Sequence, residues 1–150
     1  KIIMSNVKIF YDKIYRSEGF KAQRLYPNEE LLRFLGVNFF SKTVKKDRKN
    51  IKVLEVGCGS CANLWMIAKE GFNTHGLDLS EESLILGKKR LEYWEVDATI
   101  RQGSFTNLPY QDNSFNVVVD VLSCQLSILS MFHLFHQEEK GKKKGGDELT

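Results

Sequence analysis

Proline is scarce here, with two residues in 150. That excludes proline-rich linkers and collagen-like repeats. Cysteine is scarce as well: Cys58, Cys61 and Cys124. A sparse, odd set builds no disulfide framework and points to a reducing compartment, so a cytoplasmic location is expected. With the three histidines His75, His133 and His136 scattered along the chain, a structural zinc site, which takes about four ligands, is not expected. Long apolar runs are missing. The least charged stretch, 121–135, is short and broken by Ser123, Gln125, Ser127, Ser130 and His133, too polar to span a bilayer. The first residues, Lys1-Ile2-Ile3-Met4, lack the apolar core of a secretory signal, and Met4 is a candidate native start. No membrane partner is expected. Charge of one sign is also missing: 22 Lys+Arg stand against 19 Asp+Glu, a net +3. A dedicated nucleic-acid binder carries a stronger, clustered excess, so no nucleic acid is expected.

What is present suits one folded domain. Hydrophobic residues make up 42%, and 10 Phe, 5 Tyr and 2 Trp supply bulk for one core. Residues 1–50 read as an aromatic-rich, helical segment followed by a basic connector. Within them 28–35 reads as a short helix: Pro27 precedes it, Glu29 and Glu30 fill its first turn, and Gly36 follows. The connector at 41–50 (Lys42, Lys45, Lys46, Arg48, Lys49) reads as a solvated loop, since no aromatics are interleaved for base stacking.

Residues 51–135 read as an α/β domain. Strands are expected at 51–56, 73–77, 98–102 and 115–122. Helices are expected at 61–70, ending at Gly71, and from a Ser80 cap to about residue 92. Strands separated by helices imply a parallel sheet, because parallel neighbours need crossover connections. A further helix is expected near 126–135, and 136–150 reads as a polar, basic tail.

The informative segment is Val53-Leu-Glu-Val-Gly-Cys-Gly-Ser-Cys-Ala62, between a strand and a helix. Gly57 and Gly59 let a ligand approach the main chain. The following helix start offers unpaired N–H groups and partial positive charge, which suits a nucleotide-like or carboxylate-bearing cofactor. Asp78 ends the next strand, 19 residues after Gly59, the spacing at which a carboxylate meets the hydroxyls of an adenosine ribose. The plainer reading makes the glycines a tight turn and Asp78 a helix cap. Gly57-x-Gly59-x-x-Ala62 also fits the dinucleotide fingerprint, so an NAD(P)-binding oxidoreductase is an alternative. A second alternative is a thiol redox protein, because Cys58-Gly-Ser-Cys61 is a C-x-x-C at a helix start.

Glu55-x-Gly57-x-Gly59, Gly76-Leu-Asp78-Leu-Ser80, Leu108-Pro-Tyr-Gln-Asp-Asn-Ser-Phe115 and Val118-Val-Asp120 occur in that order. Together they resemble the class I S-adenosylmethionine-dependent methyltransferases, over about half the chain. The resemblance implies a Rossmann-like open parallel sheet with flanking helices, an N-terminal helical lid, and S-adenosyl-L-methionine as cofactor. It implies that Glu55, Gly57, Cys58 and Gly59 shape the pocket for the methionine end. Asp78 would hold the ribose, and Leu79 would lie on the adenine. Gly103, Ser104 and Phe105 would flank the adenine edge, and Asp120 would stand where sulfonium and acceptor meet. Tyr11, Tyr15 and Tyr26 resemble lid aromatics, although core packing explains them about as well. Two departures stand out: Cys61 replaces the third glycine of the family loop, and Ser104 stands where the family often has Asp.

The implied reaction is in-line methyl transfer to a small-molecule acceptor, a metabolite or glycan-type compound. The basic connector and tail would instead suit an anionic one. No catalytic base is marked. The family's sheet has seven strands and only four are placed here, so the sheet is expected to be incomplete. Its apolar edge, Val117-Val-Val119, would admit a homodimer.

Overall fold

The computed structural model describes residues 2–121, with side chains from residue 5 onward. The helix expected near 126–135, the tail, Cys124, His133 and His136 lie outside the described residues. Four strands are present among those described: β1 (Lys52–Val56), β2 (Asn73–Asp78), β3 (Thr99–Gln102) and β4 (Val117–Asp120). They form one sheet in the order β3-β2-β1-β4, and every pairing is parallel. The α/β expectation therefore holds.

Strand β1 is central and buried from Val53 to Val56. A parallel strand covered on both faces has to be apolar throughout, and Glu55 is the one exception. Side chains alternate along a strand. Val53 joins a core with Leu31, Leu35, Leu64, Ile67, Phe72, Leu84 and Leu91. Leu54 and Val56 join Leu77, Phe105, Tyr110 and Phe115 in a second, smaller cluster.

The helices are α1 (Ile2–Glu18), α2 (Glu29–Leu35), α3 (Leu64–Lys69) and α4 (Glu81–Tyr93). Helix α4 begins at Ser80, whose hydroxyl accepts from the Ser83 N–H at 3.1 Å; such a cap contributes about 1 kcal/mol. Its buried residues Ser83, Leu84, Gly87, Arg90 and Leu91 form one stripe at helical spacing. Helix α2 is capped by Asn28, whose side chain accepts from the Leu31 N–H at 3.0 Å.

Several details depart from expectation. Helix α3 starts at Leu64 rather than residue 61, because Cys61 adopts a left-handed φ of 64° that no right-handed helix accommodates. Gly36 does not stop α2; it stays right-handed, and the chain continues as a π-type turn, Gly36–Phe40. The connector is not wholly solvated. Arg48, in a 3-10 turn at Lys45–Asn50, is buried and pairs with Glu70 at 2.7 Å. It also donates to the carbonyls of Thr43, Glu70 and Phe40 and lies over the Phe40 ring. A planar fork of donors closes three loose backbone ends at the amino side of the sheet. Helix α1 occupies most of the segment read only as helical. Its Val7, Tyr11, Ile14 and Tyr15 are the less exposed face, and it is tied to α4 by Arg16–Glu82 at 2.7 Å. No described helix is long and apolar enough to cross a membrane.

Candidate functional site

After β3 the chain returns to the far side of β1, so β1 lies between β2 and β4. Ligands of such sheets collect beyond the carboxyl ends of the strands where the winding reverses. The segment leaving β1 there is the glycine loop. Its Gly57 and Cys58 N–H groups both donate to the Leu77 carbonyl, at 2.7 and 3.1 Å, which folds the loop over the end of β2.

Asp78 locks that arrangement. Its Oδ2 accepts from the Gly59 N–H at 2.8 Å. Its Oδ1 accepts from the Ser80 N–H at 2.8 Å and the Ser83 hydroxyl at 3.0 Å. Burial pushes the carboxyl up, and these hydrogen bonds oppose that push. The plainer reading of Asp78 as a cap on α4 is thus part of the truth, but Oδ2 reaches across to the loop and keeps a free lone pair.

Glu55 lies in the core on the α3 side of β1. Its Oε1 accepts from the Asn63 amide, and Asn63 Oδ1 in turn accepts from the Asn28 N–H at 2.8 Å. Its Oε2 is buried and has no protein partner. Burial pushes Glu55 up to about 8, despite the Asn63 hydrogen bond, with Asp78 and Asp120 adding to the rise.

Cys61 fills the third glycine's place in the loop, fully buried and with positive φ. The backbone there explains why glycine suits that position. Gly87 of α4 makes room for it: a Cβ on Gly87 would stand 2.6 Å from the Cys61 Sγ. The redox alternative gains no support here, since both cysteines are buried. Cys58 is buried, and its hydrogen bond with Cys61, together with burial, pushes the thiol well above its ordinary range. A reactive C-x-x-C thiol needs the opposite shift.

The remaining positions read from the sequence also fall on the carboxyl edge. Asp120 ends β4 in register with Val56. The Gly103 N–H donates to the Asp78 carbonyl at 2.9 Å. The Leu79 carbonyl accepts from Gln102 at 3.2 Å. Phe105 packs on Leu54, Val56 and Leu77. Ser104 is engaged by its neighbour, with its hydroxyl 2.7 Å from that of Thr106. Of the three tyrosines, Tyr15 is buried with its hydroxyl unpartnered, Tyr11 packs beside it, and Tyr26 is exposed. His75 bonds Asn73 and packs on Phe115, a structural place.

Sequence reasoning missed the N-terminal contacts with the loop. Gln23 Oε1 accepts from the Ser60 N–H at 3.3 Å, and its amide lies so close to Gly59 that a Cβ there would overlap it. Asp12 Oδ1 accepts from the Ser80 hydroxyl at 2.6 Å. Nothing in the local sequence marks Gln23, because its role depends on how a distant segment docks.

A Rossmann-like sheet with a glycine loop bonded to an acid at the end of the adjacent strand defines a nucleotide-type cofactor fold. The chain belongs to the methyltransferase domain family, which it matches over residues 53–142. It is 37% identical over 73 residues to a demethylmenaquinone methyltransferase of Bacillus mycoides (strain KBAB4), an alignment covering 45% of this chain and 30% of that one. Its fold is similar to a solved structure described under conversion of a disulfide bond into a thioacetal group during echinomycin biosynthesis. There the TM-score is 0.66 at 18% identity, covering 80% of this chain and 48% of the other. It is also similar to a putative S-adenosyl-L-methionine-dependent methyltransferase from Methanococcus maripaludis: TM-score 0.56, 19% identity, 87% and 54% covered. The magnesium protoporphyrin IX methyltransferase of Synechocystis PCC 6803, solved with bound SAH, gives a TM-score of 0.51 at 14% identity, with 64% and 41% covered. The chain spans 30% of the curated relative and between 41% and 54% of these solved chains.

Proposed function

We propose that the chain binds S-adenosyl-L-methionine and serves methyl transfer to a small-molecule acceptor. The observation that carries this is the direct bond between the Gly59 N–H and Asp78 Oδ2. It joins the loop and the acid into one rigid unit at the reversal point of the sheet.

The residues present fit such a cofactor. Buried polar atoms without protein partners surround the loop: Glu55 Oε2, Tyr15 Oη and Ser60 Oγ. A polar amide already rests on Gly59, so the space above that glycine accepts polar groups. Gly57, Cys58 and Gly59, with Glu55 behind them, would hold the methionine end. Asp78 would accept from a ribose hydroxyl with the spare lone pair of Oδ2. Leu79 would cover the adenine, Gly103, Ser104 and Phe105 its edge, and Asp120 would face the sulfonium side. With the Ser104 hydroxyl turned to Thr106, the backbone of this turn is the better donor to the adenine.

The cofactor supplies a methyl group on a sulfonium, already electrophilic, so no metal or covalent nucleophile is demanded of the chain. The protein's work is alignment of donor and acceptor and exclusion of water. Tyr15, its hydroxyl pushed up chiefly by burial, stays neutral and walls the site from the α1 side. A cation at the methionine end favours ionised Glu55, so binding is coupled to loss of its proton. A reducing location, the cytoplasm, belongs to the same reading, since Cys58 and Cys61 are free. So does pairing of a second copy along β4, whose Val118 is exposed.

Thermal unfolding with ligand tests the proposal. S-adenosylhomocysteine raises the midpoint and NAD does not; stabilisation by NAD alone refutes it.

A further inference from the structure

Between the 3-10 turn Gly19–Ala22 and the Asn28 cap runs an irregular strap, extended at Gln23 and Asn28. It is pinned at several points. Phe20 lies under the Arg90 guanidinium at 4.8 Å. The Arg24 carbonyl accepts from Arg90 at 3.3 Å. The Asn28 N–H donates to Asn63 at 2.8 Å. From this fixed strap the half-buried Gln23 side chain reaches the glycine loop. Its carbonyl oxygen takes the Ser60 N–H, and its amide covers the α-carbon of Gly59.

That placement has a consequence for the loop. A carbonyl oxygen on a loop N–H does what one oxygen of a carboxylate would do in the same position. The amide also fills the space that Gly59 leaves by having no side chain. A ligand cannot share it.

We propose that Gln23 is a displaceable plug, standing in at the amino-acid end of the cofactor site and yielding when the cofactor enters. The inference rests on the loop being that end of the site. The strap need not move, since rotation of one side chain clears the glycine. The contact broken is a long, neutral hydrogen bond of 3.3 Å, so the plug is weak enough to leave. It lowers affinity by the free energy of its own seating. One neutral hydrogen bond corresponds to roughly a two- to tenfold effect.

The test is calorimetric titration of S-adenosylhomocysteine into the wild-type chain, Gln23→Ala and Gln23→Glu, each first checked for a cooperative unfolding transition. Gln23→Ala is expected to bind roughly two- to tenfold more tightly. Gln23→Glu is expected to bind more weakly than wild type, because a carboxylate seats more firmly on the Ser60 N–H and repels the ligand's own. Unchanged or weaker binding by Gln23→Ala, with clear binding by wild type, overturns the plug and makes Gln23 a spectator or a ligand contact. A folded wild-type chain and folded variants that all fail to bind overturn the cofactor reading itself, and the plug with it.

Discussion

Glu55→Gln is predicted to stabilise the ligand-free protein, and to do so more as pH rises. Glu55 is buried with one oxygen unpartnered. Its carboxyl is pushed up to about 8 from an ordinary 4.5 by burial. Below about 4.5 both folded and unfolded chains hold the proton, and the group costs nothing. Between there and about 8 the unfolded chain releases its proton while the folded chain keeps it, so stability falls as pH rises. Above about 8 both are ionised and the cost is constant. Neutral pH lies about 2.5 units above 4.5. At about 1.36 kcal/mol per unit, the penalty at pH 7 is about 3 kcal/mol. Glutamine keeps the shape and still accepts from Asn63, yet never ionises. The variant should therefore melt roughly 6–12 °C higher at pH 7. The difference should shrink towards pH 5 and level off above pH 8. Thermal unfolding of both proteins across pH 5–9, without ligand, is the assay. A constant difference across that range, or a variant less stable than wild type at pH 7, refutes the reasoning. On the proposed reading the same variant should bind S-adenosylhomocysteine more weakly, since it loses the charge that would face the methionine end; stability would be gained where binding is lost.

Other expectations follow from the same geometry. Asp78→Ala removes the acceptor for Gly59, Ser80 and Ser83 and should weaken S-adenosylhomocysteine at least tenfold by calorimetry, with roughly 1–3 kcal/mol lost in urea unfolding. Gly87→Ala crowds the Cys61 sulfur and should cost roughly 1–3 kcal/mol. In a Cys61→Gly background that cost should fall to less than half, and a double-mutant cycle measures the coupling. Arg48→Ala should cost roughly 2–4 kcal/mol by leaving Glu70 and three carbonyls unpaired. It should leave cofactor affinity unchanged, because Arg48 works at the opposite end of the sheet.

The parts legible in the sequence are those fixed by local chemistry. Ser80 reads as a cap because a hydroxyl before a run of helix formers meets a free N–H, and it does so here. Strands β1 and β4 read from short apolar or β-branched runs, and all four expected strands are present within a few positions. Asp78 reads from spacing, and it lands on the loop it was matched to. What stayed hidden depends on distant contacts. Arg48 looks like one of five solvated cations until the Glu70 end of α3 folds onto it. Helix α1 spreads its apolar residues around its circumference and leaves Ile9 and Phe10 exposed, so its packed face shows only against α4. Cys61 hides a left-handed backbone behind a helix-compatible side chain, which displaced the start of α3. Gln23 carries no local signal at all.

The most direct measurement is a heteronuclear NMR titration of the isotope-labelled chain with S-adenosylhomocysteine. The backbone amides of Gly57, Gly59, Asp78, Leu79 and Gly103 should shift together, saturating with one dissociation constant, while Arg48 and Ile51 stay still. Shifts confined to other residues, or none at saturating ligand, would contradict the proposal that the glycine loop and Asp78 form one cofactor cradle.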